Sequence, residues 1–163
     1  MATPIVIWGS LTEMRYSSTR TAGGVLCKGR IGRYLFEVVD CYGNHPCAYV
    51  HLPKSYPLDS ILEPWWKTPE SDDEFVDSPA LYEGISLPCH GGLTYSGMSK
   101  SRRHGVVLGW DYGHLGDWSR HLDGVYAQPL GMEAFPKKWT VAEILTEIQD
   151  AIQWLELHRL KRA

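Results

Sequence analysis

Clustered and alternating apolar positions predict several short strands in the first two thirds of the chain. The β-branched and aromatic segments are Pro4–Trp8, Arg33–Asp40, Cys47–Leu52 and Gly105–Tyr112. The turn residues "CYGNHP" separate the second segment from the third and predict a hairpin. We expect a further strand within "YEGISLPCHGGLTY", running into a glycine turn.

The last part of the chain has the period of an amphipathic helix. Its apolar stripe comprises Val141, Ile144, Leu145, Ile148, Ile152 and Leu155. Thr140 and Glu143 have the spacing of a capping box, so the helix is predicted over residues 140–158. A sheet followed by one long helix indicates an α+β fold, with a mostly antiparallel sheet and the C-terminal helix packed on one face.

Residues 53–80 interrupt this pattern. The stretch contains five prolines, the acidic run Glu70–Glu74 and the pair Trp65–Trp66. Proline opposes helices and central strands, so an irregular excursion is predicted within a single domain spanning 1–163.

Composition narrows the classes of function. A net charge of −3 argues against non-specific nucleic-acid binding, and no run of about 18 apolar residues suggests a membrane span. The N-terminus lacks a secretion signal, so we expect a cytoplasmic protein whose four cysteines are reduced thiols. Seven Trp and nine Tyr against three Phe suit ligand or partner contacts, but a core in which their polar tips are hydrogen-bonded is the simpler interpretation.

Two glycine-rich segments carry the candidate chemistry: "CHGGLTYSG", with His90 before Gly91 and Gly92, and "GWDYGHLGDW". In the second, Asp111, His114 and Asp117 follow the end of a buried strand, a favoured position for function. If the two segments build one site, His90 must lie within contact reach of the Asp111–Asp117 segment. Neighbouring strands that deliver both loops to one edge of the sheet would bring them together.

Carboxylates and imidazoles suit Zn, Mn or Fe, and His90, Asp111, His114 and Asp117 could serve as ligands or acid–base groups of a metal-dependent hydrolase. The spacing D-x-x-H-x-x-D matches no established metal signature, however, and an Asp–His hydrogen bond that holds the loop is the simpler interpretation. Cys89 directly precedes His90, so the two side chains should point to opposite faces. We therefore assign no catalytic residue, metal or cofactor, and a non-catalytic protein is favoured.

The motifs also carry a resemblance. "CAYVHLPKSYPL", "CHGGLTYSG" and "LGWDYGHLGDW" resemble, over residues 45–155, an uncharacterised family of small phage and prophage proteins with HGGLTY and GxDxxHxGD motifs. The chain departs from that pattern at Tyr56, where the family has His, at Asp59–Ser60, and in an expanded segment 60–82. The resemblance implies an infected or lysogenic host cell, in which proteins of this size can act against host defences, some by sequestering nucleotide immune signals.

We therefore expect a protein that binds a small anionic, nucleotide-derived ligand, and a homo-oligomer stays open. Arg102 and Arg103 would hold phosphates, although an ordinary exposed hairpin loop is the simpler interpretation of these basic residues. Trp110 or Trp118 would stack on a base. The full predicted ligand-binding set is His90, Gly91, Gly92, Thr94, Tyr95, Arg102, Arg103, Trp110, Asp111, His114, Asp117 and Trp118. Besides the metal-dependent hydrolase, the alternative is an inhibitor of a host protein that uses Trp65–Trp66 and the acidic run as its contact surface.

Overall fold

The computed structural model describes residues 24–41, 43–67, 80–114, 117 and 137–161. The predicted strand at Pro4–Trp8, the acidic run Glu70–Glu74 and Trp118 lie outside these residues.

The described strands form one five-stranded sheet in which every pairing is antiparallel. The strands are β1 (Val25–Ile31), β2 (Tyr34–Cys41), β3 (His45–Pro53), β4 (Tyr95–Met98) and β5 (His104–Asp111). Their order in space is β1-β2-β3-β5-β4. The predicted hairpin is β2–β3, and the predicted strand at Gly105–Tyr112 is β5, which lies between β3 and β4.

The C-terminal helix α2 (Val141–Leu160) packs against β1, β2 and β3, so the predicted α+β fold is confirmed. Its N-terminus carries the expected capping box, in which the side chains and backbone amides of Thr140 and Glu143 satisfy each other. The stripe from Ile144 to Leu155 is buried against the sheet, and the Tyr56 hydroxyl donates to the Leu155 carbonyl at 2.8 Å. Within the described residues, no helix is long and apolar enough to cross a membrane.

The excursion at 53–80 contains short elements where it is described. They are a 3-10 turn at Leu58–Ser60 and the single helical turn α1 (Pro64–Lys67). Trp66 packs its ring on Gly84, where an added Cβ would come within 2.7 Å of the ring. The excursion therefore folds back onto the segment that leads to the first glycine-rich motif.

The prediction of a strand ahead of the glycine turn is wrong. Leu81–Gly84 forms a 3-10 turn, and Ile85 makes only an isolated bridge to Leu62. Pro88 supplies no backbone N–H to a sheet ladder, which explains why pairing does not continue through this segment. The strand of this region is β4, which begins after the turn.

Candidate functional site

The two glycine-rich motifs meet at one end of the sheet. Strand β4 pairs antiparallel with β5, so the turn before β4 lies beside the loop that follows β5. His90 Nε2 and Asp117 Oδ2 are 2.6 Å apart. A shared site requires contact between the two motifs. This contact is present as an Asp–His hydrogen bond.

Asp117 is buried and accepts several hydrogen bonds. Its Oδ2 accepts from His90 and from the His114 backbone N–H at 3.0 Å, and its Oδ1 accepts from Trp139 Nε1 at 2.7 Å. Burial alone would raise the pKa of Asp117, but these hydrogen bonds outweigh it and lower the pKa below its usual value. The carboxylate is therefore ionised at neutral pH and fixed in orientation.

His114 contributes a nitrogen without a hydrogen-bond partner. Its Nδ1 is buried and makes no hydrogen bond within the described part of the chain. Asp111 Oδ1 and Asp117 Oδ2 each lie 3.7 Å from it. Two carboxylates thus face this nitrogen at a distance too long for a hydrogen bond. The ligand atoms of His90, His114 and Asp117, hereafter the His–Asp cluster, all lie within 4.8 Å of one another.

The glycine turn places the His114 ring. Gly92 N–H donates to the Cys89 carbonyl at 3.1 Å, and Gly91 at the third position of this turn has φ 65°. A Cβ on Gly91 would overlap the imidazole of His114. The turn therefore uses glycine both for its left-handed backbone and to let a neighbouring side chain approach.

Aromatic rings form one wall of the site. The His90 ring stacks on Tyr112, with centroids 5.3 Å apart and planes 2° from parallel, and Trp139 lies 4.7 Å from His90. The Tyr112 hydroxyl donates to Glu147 on α2, which also accepts from Trp110 at 3.3 Å. Helix α2 thereby holds the ring against which His90 packs.

The charge of the site is predominantly negative. Asp111, Asp117 and Glu147 are acidic, whereas the nearby Lys137 already forms a salt bridge with Glu143 at 3.2 Å. A free anion would meet carboxylates here, whereas a cation would be attracted.

Comparison with protein-family models, with curated proteins and with solved structures finds no match for this chain. The resemblance to phage proteins stays a prediction.

Several residues predicted to bind a ligand lie elsewhere. Arg102 and Arg103 are exposed in the β4–β5 turn, at the end of β5 opposite to His114. An eight-residue strand spans roughly 25 Å, too far for these side chains to share a ligand with the cluster. The β4–β5 hairpin is the reason, because it sends the arginines to its far end.

Trp110 and Tyr95 do not line the cluster either. Trp110 is 1% exposed in the core, so its ring has no free face for a base. Tyr95 is exposed, but its side chain lies over Gly97 and packs edge-on against Tyr49 at 5.7 Å. Thr94 is exposed next to it, and its backbone N–H pairs with the Gly109 carbonyl.

Cys89 packs against the core while His90 faces the cluster, as the alternation of neighbouring side chains predicts. Burial raises the pKa of Cys89 to about 12, so its thiol is protonated near neutral pH.

Sequence reasoning missed Trp139 and Glu147, which orient Asp117 and Tyr112. Trp139 directly precedes the predicted helix cap, and that position is the one signal that could have pointed to it.

Proposed function

We propose that the protein is a metal-dependent hydrolase whose divalent metal is held by the His–Asp cluster. The observation that carries this proposal is the buried, unpartnered His114 Nδ1, which faces carboxylate oxygens of Asp111 and Asp117 at 3.7 Å. A buried nitrogen that makes no hydrogen bond is costly unless another group satisfies it. A cation bound by this imidazole and by Asp117, with Asp111 beside it, would do so.

The donor set suits a transition metal. Two imidazoles and one carboxylate are ligands for Zn²⁺, Mn²⁺ or Fe²⁺. Binding requires a small opening, because His90 Nε2 and Asp117 Oδ2 are in direct hydrogen-bond contact at 2.6 Å. Trp139 already binds the other oxygen of Asp117, and this kind of outer-sphere hydrogen bond orients a metal-ligating carboxylate.

The exposure of the ligands favours catalysis over a purely structural role. The side chains of His90 and His114 are 25% and 34% exposed, whereas Asp117 is 5% exposed. Three protein ligands with an accessible side leave a coordination position for water, as in catalytic zinc sites. A divalent ion bound here would lower the pKa of such a water and supply a nucleophile. Asp111, 29% exposed beside His114, would accept the proton of this water.

The sequence led us to expect an anionic, nucleotide-derived ligand. Such a ligand would bind at this site only together with a metal ion, and we therefore treat it as a substrate. Without a cation, Asp111 and Asp117 would repel a phosphate, and the arginines that could have bound it lie at the far end of β5. A divalent ion would offset both carboxylates and attract the phosphate oxygens. We therefore name phosphate esters, nucleotides included, as the first substrate class to test.

The first experiment measures metal binding in protein without a polyhistidine tag. We expect zinc, manganese or cobalt to bind with an affinity that isothermal titration calorimetry can measure. His114→Ala and Asp117→Asn should each abolish metal binding at the His–Asp cluster, since each takes away one of its three ligands. His158→Ala is the matched control, because that histidine stacks on Trp154 within α2 and should leave binding unchanged.

The second experiment measures hydrolysis by the metal-loaded protein, with nucleotides, phosphodiesters and carboxylic esters as substrates. We expect turnover that EDTA abolishes, and Asp111→Asn should lower kcat while metal stays bound. Metal binding without turnover of any substrate would contradict the hydrolase. Nucleotide binding by the EDTA-treated protein would favour the sequestering protein instead.

A further inference from the structure

A second set of metal-binding side chains lies at the β2–β3 hairpin, outside the His–Asp cluster. Cys41 ends β2 and pairs with His45, and Cys47 follows two residues later on β3. Side chains two apart on a strand, and those directly opposite on its neighbour, share one face of the sheet. The ligand atoms of Cys41, His45 and Cys47, hereafter the thiol cluster, consequently lie within 4.8 Å of one another.

The two sulfurs are not joined by a disulfide, and the Cys47 thiol donates a hydrogen bond to Cys41 Sγ. Their separation is 2.8 Å, and both cysteines are free, whereas a disulfide bond measures about 2.05 Å. The register opposes a disulfide as well, because Cys47 pairs with Val39 and so lies diagonal to Cys41. Diagonal neighbours have Cα atoms roughly 7–8 Å apart, beyond the usual disulfide range. A bridging ion requires no such approach of the backbones.

We infer that the thiol cluster is a second metal site, which binds a thiophilic ion such as Zn²⁺ through Cys41, His45 and Cys47. Two sulfurs and an imidazole select zinc or copper(I) over magnesium, calcium or manganese. This donor set differs from the nitrogen and oxygen donors of the His–Asp cluster, so the two sites can be distinguished by chemistry.

The position of the thiol cluster gives this ion a structural role. Asp111 is the cross-strand partner of Cys47 and also lies 3.7 Å from His114. The His45 ring lies 3.0 Å from the place where a Cβ on Gly113 would stand. An ion that fixes His45 and Cys47 would therefore fix the segment 111–114, which carries one histidine of the His–Asp cluster.

Cobalt substitution tests this inference independently of the hydrolase. Thiolate bound to Co²⁺ gives a charge-transfer absorption that nitrogen and oxygen ligands do not give. We expect this absorption in the wild-type protein, its retention in His114→Ala and its loss in a Cys41→Ser/Cys47→Ser double variant. Cys89→Ser is the matched control and should keep the absorption, because Cys89 lies outside the thiol cluster. Elemental analysis should give about two zinc ions per chain, with one lost in each of the two cluster variants.

Cysteine alkylation of the unaltered chain tests the same inference without relying on a variant that could fail to fold. Zinc should protect Cys41 and Cys47 from alkylation in the folded protein, while Cys89 labels at the same rate with and without zinc. Absence of the thiolate absorption, its persistence in the double variant or equal labelling of Cys41 with and without zinc would each overturn the inference. A Cys41–Cys47 disulfide that persists in reductant would overturn it as well.

Discussion

At the scale of single residues, Gly91 is the position on which the His–Asp cluster depends without supplying a ligand. Its φ of 65° is left-handed, and a Cβ would overlap the His114 ring. Gly91→Ala therefore adds backbone strain and displaces a proposed metal ligand. We expect it to lower the free energy of unfolding by about 1–2 kcal/mol, measured by urea denaturation, and to abolish zinc binding at this cluster.

Gly92 provides the matched control for this prediction. Its φ is 82°, but no described atom lies within 4 Å of the place where its Cβ would stand. Gly92→Ala should cost a similar free energy through backbone strain alone and should leave zinc affinity near that of the wild type. Equal loss of zinc binding in both variants would show that the turn conformation, and not the approach of His114, governs the site.

At the scale of elements, the capping box of α2 stabilises the helix that holds the aromatic wall. Thr140 Oγ1 accepts from the Glu143 backbone at 3.3 Å, and the Glu143 carboxylate accepts from the Thr140 backbone at 2.9 Å. Thr140→Ala should lower the free energy of unfolding by about 1 kcal/mol, followed by circular dichroism in urea.

Thr146→Ala is the control for the cap. Thr146 is exposed within α2, and its hydroxyl donates to the Ala142 carbonyl, a bond that does not stabilise a helix interior. Alanine has the higher helix propensity, so this variant should be as stable as the wild type or slightly more so. A loss equal to that of Thr140→Ala would mean that removal of any threonine from this helix is costly, irrespective of the cap.

Some of the helices and strands could be predicted from the sequence, and others could not. Helix α2 and strands β2, β3 and β5 were predictable, because buried elements impose a hydrophobic period on the chain. Strand β4, with sequence "YSGM", shows no such period, since it is an edge strand that pairs through its backbone and buries no side chain. Strand β1 was also missed, because Lys28, Gly29 and Arg30 interrupt its apolar pattern.

Likewise, part of the candidate site could be predicted from the sequence and part could not. The contact between His90 and Asp117 was predictable from two motifs at strand ends, although the reason differs: antiparallel β4 starts where β5 ends. The thiol cluster was not predicted, because the cysteines have no local spacing motif and meet only through the register of the hairpin. Arg102 and Arg103 lie far from His114 for a related reason, since the eight residues of β5 between them form an extended strand.

At the scale of the whole molecule, the core and the proposed metal sites are separate. The core comprises the inner face of the sheet and the buried stripe of α2, and Phe36, Val50 and Leu108 have at most 2% of their surface exposed. The His–Asp and thiol clusters both lie at one end of the sheet, beside its loops. A chain of this length can bury a core without metal. The metals should therefore add to stability without being required for folding.

Thermal unfolding in the presence of EDTA, zinc or a nucleotide tests this separation. The EDTA-treated protein should keep its circular dichroism and a cooperative transition, unlike small zinc domains that unfold without their ion. Zinc at about a hundred times its dissociation constant should add about 2.7 kcal/mol for each site and raise Tm accordingly. His114→Ala and the Cys41→Ser/Cys47→Ser double variant should each remove part of the rise, and their combination should remove all of it. Loss of structure in EDTA would contradict an independent core, whereas a rise in Tm with nucleotide alone and none with zinc would contradict both metal sites.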